Sequence, residues 1–132
     1  ARSAAERIGA VYHESLVDDL NIYYEKGLLT CVAALVREVH AQGKPIAAVC
    51  IAPALLAKVL GSESPNLTIG NDAGTAGAME SLGANHVACP VTEFVVDRDR
   101  RLITSPAYML AQSISEAAEG IEGTVKALLD LA

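Results

Sequence analysis

Cys50 is the residue of this chain best placed for covalent chemistry, because it stands between a short apolar run and a helix-forming stretch. Residues 46–50 read IAAVC and predict a strand, and residues 51–61 read IAPALLAKVLG and predict a helix. Pro53 suits the first helical position, and Gly61 is expected to close the helix in a left-handed conformation. A thiol at this turn faces free backbone N–H groups and the positive end of the helix dipole, which favour the thiolate. The pattern therefore makes Cys50 a candidate nucleophile.

The same strand–turn–helix order is the architecture of a nucleophile elbow. In such an elbow the backbone N–H of the next residue, here Ile51, can stabilise an oxyanion. The alternative is that Cys50 is a small buried core residue, since free cysteine is among the most buried residue types. Both interpretations remain open at this point.

The other two cysteines are expected to be packing residues. Cys31 lies in an apolar helical pattern, and Cys89 precedes Pro90. Three cysteines without C-x-x-C spacing disfavour both a disulfide framework and a zinc site. We therefore predict no metal and reduced thiols, which are typical of a cytoplasmic protein.

Composition and length favour one α/β domain over residues 1–132. Hydrophobic residues make up 52% of the chain, with no Trp and one Phe, so aliphatic side chains supply the core. Within this domain, residues 1–27 form a divergent N-terminal segment without clear periodicity. Residues 28–132 form the core.

Charge and hydropathy disfavour two classes of partner. A net charge of −6 gives a surface that repels phosphate backbones, so we predict no nucleic-acid binding. The longest apolar stretch, residues 46–57, is broken by Pro53, so we predict no membrane-spanning helix. Residues 1–7 lack the apolar run of a secretory signal, which also favours a cytoplasmic location.

Charged and glycine-rich segments elsewhere have structural interpretations. Residues 97–101 read DRDRR between two short apolar runs and predict a solvated hairpin tip. Gly70, Gly74 and Gly77 are not followed by Lys-Ser or Lys-Thr, so they predict no nucleotide cofactor. His40 lies near the end of a predicted helix, where a surface residue that compensates the dipole is expected.

Strands and helices alternate along the chain. Helices are predicted from Leu28 to about Gln42, after an Asp72 or Thr75 cap as far as Gly83, and from Pro106 to the end. Between them, residues 67–70 predict a strand, and residues 93–96 and 102–105 a hairpin. This order favours a three-layer α/β fold. Ligands of such folds bind beyond the carboxyl ends of the strands, where Cys50 is placed.

Five segments taken together resemble a known family. They are GKPI at 43–46, CIAPA at 50–54, LTIG at 67–70, GANHV at 83–87 and TSPAYMLAQ at 104–112. This combination resembles the ElbB-like branch of the PfpI and class I glutamine amidotransferase-like superfamily, over residues 30–132. The resemblance implies a flavodoxin-like sheet in which the family's N-terminal elements are missing or divergent.

The resemblance also implies an activity. ElbB-like proteins are described as glyoxalases that act without glutathione or metal, so methylglyoxal or glyoxal is the implied substrate and no cofactor is expected. Cys50 would add to the aldehyde as the nucleophile, and Ile51 N–H would bind the oxyanion. His86, similar in position to a histidine of the superfamily, would move the proton; a structural role for His86 is equally compatible with the sequence.

Departures from the family lead to two further expectations. The acidic residue and Gly-Gly loop that support the cysteine in relatives have no secure match here: residues 11–15 resemble the segment around the acid only faintly, and Glu14 is not assigned to that role. A non-catalytic redox-responsive or interaction module is therefore the alternative function. An open sheet edge is also expected, which predicts a homo-oligomer. Glutamine amidotransfer is disfavoured, because Val49 and Ile51 flank Cys50 where that class has glycines.

Overall fold

A computed structural model describes residues 30–132, in which helices alternate with short strands. Two 3₁₀ turns, Gly61–Glu63 and Ala107–Met109, interrupt this order. In chain order the elements are α1 (Thr30–Ala41), β1 (Ile46–Val49), α2 (Ala52–Leu60), β2 (Asn66–Leu67), α3 (Ala73–Ser81), β3 (Asn85–His86), β4 (Val95–Asp97), β5 (Leu102–Ser105) and α4 (Ile114–Leu131).

The strands form a mixed sheet with the order β1-β5-β4. Strand β1 runs parallel to β5, with Val49 opposite Ser105, and β4 runs antiparallel to β5 as the predicted hairpin. A second ladder pairs β2 with β3 in parallel. The Thr68 N–H donates to Thr104 Oγ1 at 2.9 Å, which ties this ladder to β5. The predicted α/β class is confirmed.

The core is aliphatic, as the composition predicts. Helices α1 and α2 pack together and against β1, while α4 packs on β1 and β5. Every residue of β5 is buried, as expected for a strand inside the sheet. The largest fully buried side chains include Leu67, Ile69, Met79, Leu102 and Ile103.

Gly61 does not end α2 in a left-handed conformation, which corrects the prediction from sequence. Its φ is −57°, and the left-handed residue is Ser64, with φ of 51°. The structural reason for glycine is proximity, since a Cβ at Gly61 would lie 1.9 Å from the Leu82 carbonyl oxygen. Gly83, with φ of +97°, does terminate the preceding helix as predicted.

The last helix begins at Ile114, not at Pro106 as predicted. Ser113 caps it, because Ser113 Oγ accepts the Glu116 N–H at 3.3 Å. Upstream, Ala107 has a φ of +50°, and its N–H donates to Ser105 Oγ at 3.2 Å. This left-handed residue cannot continue a helix, so the chain makes a 3₁₀ turn before α4.

The hairpin tip is only partly solvated, which corrects a second expectation. Asp97 is 3% exposed, and its carboxylate accepts the Asn66 N–H at 2.8 Å and the Arg100 N–H at 3.0 Å. The Arg100 guanidinium lies 3.2 Å from the same carboxylate. The Asp97 carboxylate therefore connects β2 to the end of β4 by a hydrogen bond.

Helix α1 buries less of its apolar face than the pattern predicts. Ala33 is its buried residue, while Val32 and Leu35 are 43% and 58% exposed. Cys31 is exposed, so its interpretation as a packing residue is wrong. His40 makes a 3.1 Å contact with Glu63. None of the helices within residues 30–132 combines the length and apolar character needed to cross a bilayer.

Candidate functional site

Cys50 occupies the turn between β1 and α2 in a left-handed conformation. Its φ is 61°, a region that non-glycine residues avoid because the Cβ crowds the backbone. The Cys50 N–H donates to the Ser105 carbonyl at 3.1 Å, which extends the β1–β5 pairing into the turn. Sharp strand-to-helix turns with a strained residue are the geometry of nucleophile elbows.

The three thiols have three different environments. Cys50 is half-buried, Cys31 is exposed and Cys89 is buried at 4% exposure. Burial raises the pKa of the Cys89 thiol, Glu93 raises it further, and a hydrogen bond with Thr68 opposes both. Cys89 is therefore a packing residue as predicted, whereas Cys50 retains access to solvent without full exposure.

Helix α2 begins beside this thiol without a side-chain cap. Ile51 occupies the N-cap position and makes no side-chain capping hydrogen bond, and Pro53 lies in the first turn. Ile51 is 40% exposed, and its carbonyl accepts the Ala54 N–H at 3.0 Å. Its own N–H stays the predicted oxyanion donor, in a turn whose orphan donors no capping side chain satisfies.

His86 lies at the end of β3 and is held by the neighbouring strand segment. Its Nε2 accepts the Ile69 N–H at 3.4 Å. Burial lowers the pKa of His86, and the nearby Glu80 carboxylate partly opposes that shift. Both observations favour a neutral ring with its proton on Nδ1. Within residues 30–132 no hydrogen bond joins His86 to Cys50, so its role as a proton shuttle stays a prediction.

Ser105 and Ala107 are site residues that the sequence reasoning missed. Both are fully buried, and they shape the turn after β5, beside the elbow. The segment TSPAY contributed to the family resemblance, but an alanine carries no sequence signal for a positive φ. Only the folded backbone reveals that two left-handed residues, Cys50 and Ala107, end neighbouring parallel strands.

A largely apolar groove is formed by residues 108–121, which follow this turn. It encloses about 580 Å³ between the 3₁₀ turn and the start of α4. Within residues 30–132, no group of three or more His, Cys, Asp or Glu side chains could hold a metal ion. The groove is lined by Tyr108, Ala111, Gln112, Ser113, Ile114, Ala117, Ala118 and Ile121.

Comparison with known proteins adds sequence relatives to this geometry. The chain is 37% identical over 109 residues to the rat ES1 protein homolog, mitochondrial. It has the same identity to the human glutamine amidotransferase-like class 1 domain-containing protein 3, mitochondrial. Each match covers 76% of this chain and 40% of the relative.

A solved structure matches the same share of the chain. It is the isoprenoid biosynthesis protein with amidotransferase-like domain from Ehrlichia chaffeensis, with a TM-score of 0.70 and 32% identity. The match covers 76% of this chain and 46% of that protein. These findings support an assignment of the chain to the glutamine amidotransferase-like superfamily. No family model matches the sequence.

The superfamily matches confirm one expectation and overturn another. The amidotransferase-like, flavodoxin-like fold predicted from the resemblance is confirmed. The predicted cytoplasmic location is contradicted, because both mammalian relatives are mitochondrial proteins by name. Reduced thiols are a weak guide to compartment, since they exclude oxidising compartments without distinguishing among the others.

Proposed function

We propose that this chain carries a thiol-dependent glyoxalase-type activity in which Cys50 is the nucleophile. The observation that carries the proposal is the left-handed Cys50 at the strand-to-helix turn, half-buried beside an uncapped helix N-terminus. A small aldehyde such as methylglyoxal or glyoxal is the substrate class. The chain spans 40% of the length of its mammalian relatives, so the proposal concerns the chemistry of this elbow.

The proposed reaction needs no outside oxidant or reductant. The Cys50 thiolate forms a C–S bond with the aldehyde carbon, and the resulting alkoxide takes a proton to give a hemithioacetal. A base then moves the proton of this carbon to the neighbouring carbonyl carbon through an enediol, which leaves a thioester and a new hydroxyl. Water breaks the C–S bond and releases lactate or glycolate with the free thiol.

Two groups supply the remaining steps of the proposal. The Ile51 N–H stabilises the oxygen that becomes negatively charged when sulfur adds, as donors of oxyanion holes do. A neutral His86 has the protonation state that a general base requires, although the Ile69 N–H occupies its Nε2. In this tautomer only Nε2 has a lone pair, so Nε2 would need to release the Ile69 N–H before it takes up the proton, through water, since the structure joins neither ring nitrogen to Cys50.

The activity is tested by incubating the purified chain with methylglyoxal and measuring lactate. Removal of the attacking sulfur by Cys50→Ala is expected to lower the rate by about 1,000-fold or more, because the covalent route is lost. Cys31→Ala is the matched control, since it removes an exposed thiol on α1, outside the elbow, and should leave the rate unchanged. Equal lactate formation by the wild type and Cys50→Ala would reject Cys50 as nucleophile.

A second function, a redox-responsive module, is favoured because His86 Nε2 accepts the Ile69 N–H and no hydrogen bond within residues 30–132 joins His86 to Cys50. In that case the Cys50 thiolate attacks a peroxide, forms a sulfenic acid and releases water. Intact-mass and peptide analysis after mild peroxide would show one added oxygen at Cys50 before Cys89. An unmodified Cys50 at doses that oxidise Cys31 would remove this alternative.

A further inference from the structure

The turn after β5 meets the elbow at a single residue, Ser105. Its carbonyl accepts the Cys50 N–H at 3.1 Å, and its Oγ accepts the Ala107 N–H at 3.2 Å. One residue therefore contacts two left-handed residues, one on each neighbouring strand end. A hydrogen bond to each of them resists relaxation of either turn.

Helix α4 closes the other side of Ser105. A Cβ added at Gly120 would lie 3.2 Å from Ser105 Oγ and 2.3 Å from the Val91 carbonyl oxygen. Gly120 is itself buried, and Ser105 is 0% exposed. The Ser105 side chain is thus buried between α4 and the turn.

Two left-handed non-glycine residues at neighbouring strand ends lower the stability of the fold, so they call for a functional explanation. Non-glycine residues in the left-handed region are destabilised because the Cβ crowds the backbone, and such strain persists where the surrounding structure holds it. Cys50 and Ala107 both carry this strain, at adjacent strand ends. Strained backbone of this kind clusters at functional sites, where it orients a reacting group.

From these contacts we infer that Ser105 is a positioning residue for Cys50: its hydroxyl holds the Ala107 turn, and its carbonyl holds the elbow against that turn. The inference rests on the proposed function of Cys50 as a reacting thiol. It assigns Ser105 no contact with substrate. Its role is to keep the sulfur in the orientation that the strained turn imposes.

The test measures how fast iodoacetamide alkylates Cys50, with the exposed Cys31 of the same molecule as internal reference. Peptide mass analysis gives the Cys50 to Cys31 rate ratio between about pH 6 and pH 9. Because alkylation requires no turnover, the result is independent of whether methylglyoxal is a substrate. Failure of this inference and failure of the glyoxalase proposal are thereby distinguishable.

Ser105→Ala is expected to change the Cys50 to Cys31 ratio by about fivefold or more and to alter its pH profile, because the Ala107 turn relaxes. Thr104→Ala is the matched control. Thr104 is also fully buried in β5, and its hydroxyl also accepts a backbone N–H, that of Thr68 at 2.9 Å. It should lose similar stability and keep the wild-type ratio.

The double variant Ser105→Ala with Ala107→Gly separates positioning from general loosening. Glycine adopts the left-handed conformation without a held hydroxyl, so the ratio should return toward the wild-type value. If circular dichroism shows that Ser105→Ala is unfolded, Ala107→Val attacks the same turn, because β-branched residues avoid a positive φ, and it should change the ratio similarly. An unchanged ratio in folded Ser105→Ala, or an equal change in Thr104→Ala, would overturn the inference.

Discussion

At the residue scale, a backbone torsion separates Cys50 from the other two thiols. Cys31 and Cys89 have ordinary φ values, whereas Cys50 has a positive one. The cost of that conformation is offset by the ladder hydrogen bond to Ser105 and by the helix that starts at once after it. A cysteine serving only as a small packing residue would not need this arrangement, because ordinary backbone would place it equally well.

His86 shows a second residue whose environment determines its charge. Its ring accepts a backbone N–H, and a protonated ring would face that N–H with a like partial charge. Burial opposes protonation as well, and the Glu80 carboxylate only partly compensates. The fold therefore stabilises the neutral imidazole of His86, and a general base must also be neutral before it takes up a proton.

Protein stability should depend on pH through His86. Its pKa in the fold lies below the ordinary 6.5, so between the two values the unfolded chain binds more protons than the fold does. The stabilisation is thus fully present above about pH 6.5 and is lost as the pH falls through the lowered pKa. Urea midpoints measured at about pH 7.5 and about pH 5.5 should show this fall.

His86→Gln is the control for this pH dependence. Glutamine keeps an oxygen that can accept the Ile69 N–H but cannot titrate, and the other histidines are unchanged. The variant should lose less stability than the wild type between the two pH values. Parallel losses in both proteins would show that His86 does not contribute.

At the element scale, two hydrogen bonds join the β2–β3 ladder to the three-stranded sheet. The two-residue strands β2 and β3 form their own ladder, outside the main sheet. Thr104 and Asp97 supply the connection, through hydrogen bonds from Thr68 N–H and Asn66 N–H. This connection joins the ladder that contains His86 to strands β4 and β5.

Asp97→Ala should cost about 3 kcal/mol of unfolding free energy, because it orphans two backbone N–H groups and the Arg100 guanidinium at a buried position. Asp99→Ala, two residues away and exposed, should change stability by no more than about 0.5 kcal/mol. Urea unfolding of the two variants measures the difference. Equal stabilities would mean that Asp97 does not connect the two ladders.

At the scale of the whole molecule, strand β1 has one unpaired edge among the residues that the structure describes. Within residues 30–132, β5 pairs with one of its edges and no strand pairs with the other. The strand contains no charged residue. Beside it lies a hollow of about 270 Å³, lined by Leu35, Val36 and Val39 of α1, Ile46 and Ala47 of β1, Pro45 and Leu128. Uncharged edges flanked by apolar surface favour pairing with another strand.

We expect two copies of this chain to pair through the β1 edge, since antiparallel pairing about a twofold axis matches each edge with itself. Leu35→Glu puts a charge on the 58% exposed side chain beside that edge and should yield a monomer. Ile114→Glu alters a 90% exposed side chain on the other groove and should leave the dimer intact. Sedimentation velocity at micromolar concentration measures both, and a wild-type monomer would contradict the expectation.

Local chemistry alone determined several features of this protein. Alternating apolar runs and turn residues predict the α/β class, Pro53 and the following aliphatic residues predict α2, and Asp72 and Gly83 bound α3 as expected. These features depend on neighbours within a few residues, so their signals are present in the sequence. The position of Cys50 at the turn belongs to the same group.

The tertiary structure decided what depends on contacts between distant segments. Gly61 is required because a Cβ there would meet the Leu82 carbonyl, buried Asp97 accepts the Asn66 N–H, and the Cys50 N–H donates to the Ser105 carbonyl. Each of these contacts joins residues of different elements, and composition and periodicity do not reveal such contacts. Adjacent residues predict the turn at Cys50. Its contact with Ser105 becomes visible only in the folded structure, because β1 and β5 are distant in the sequence and pair side by side in the sheet.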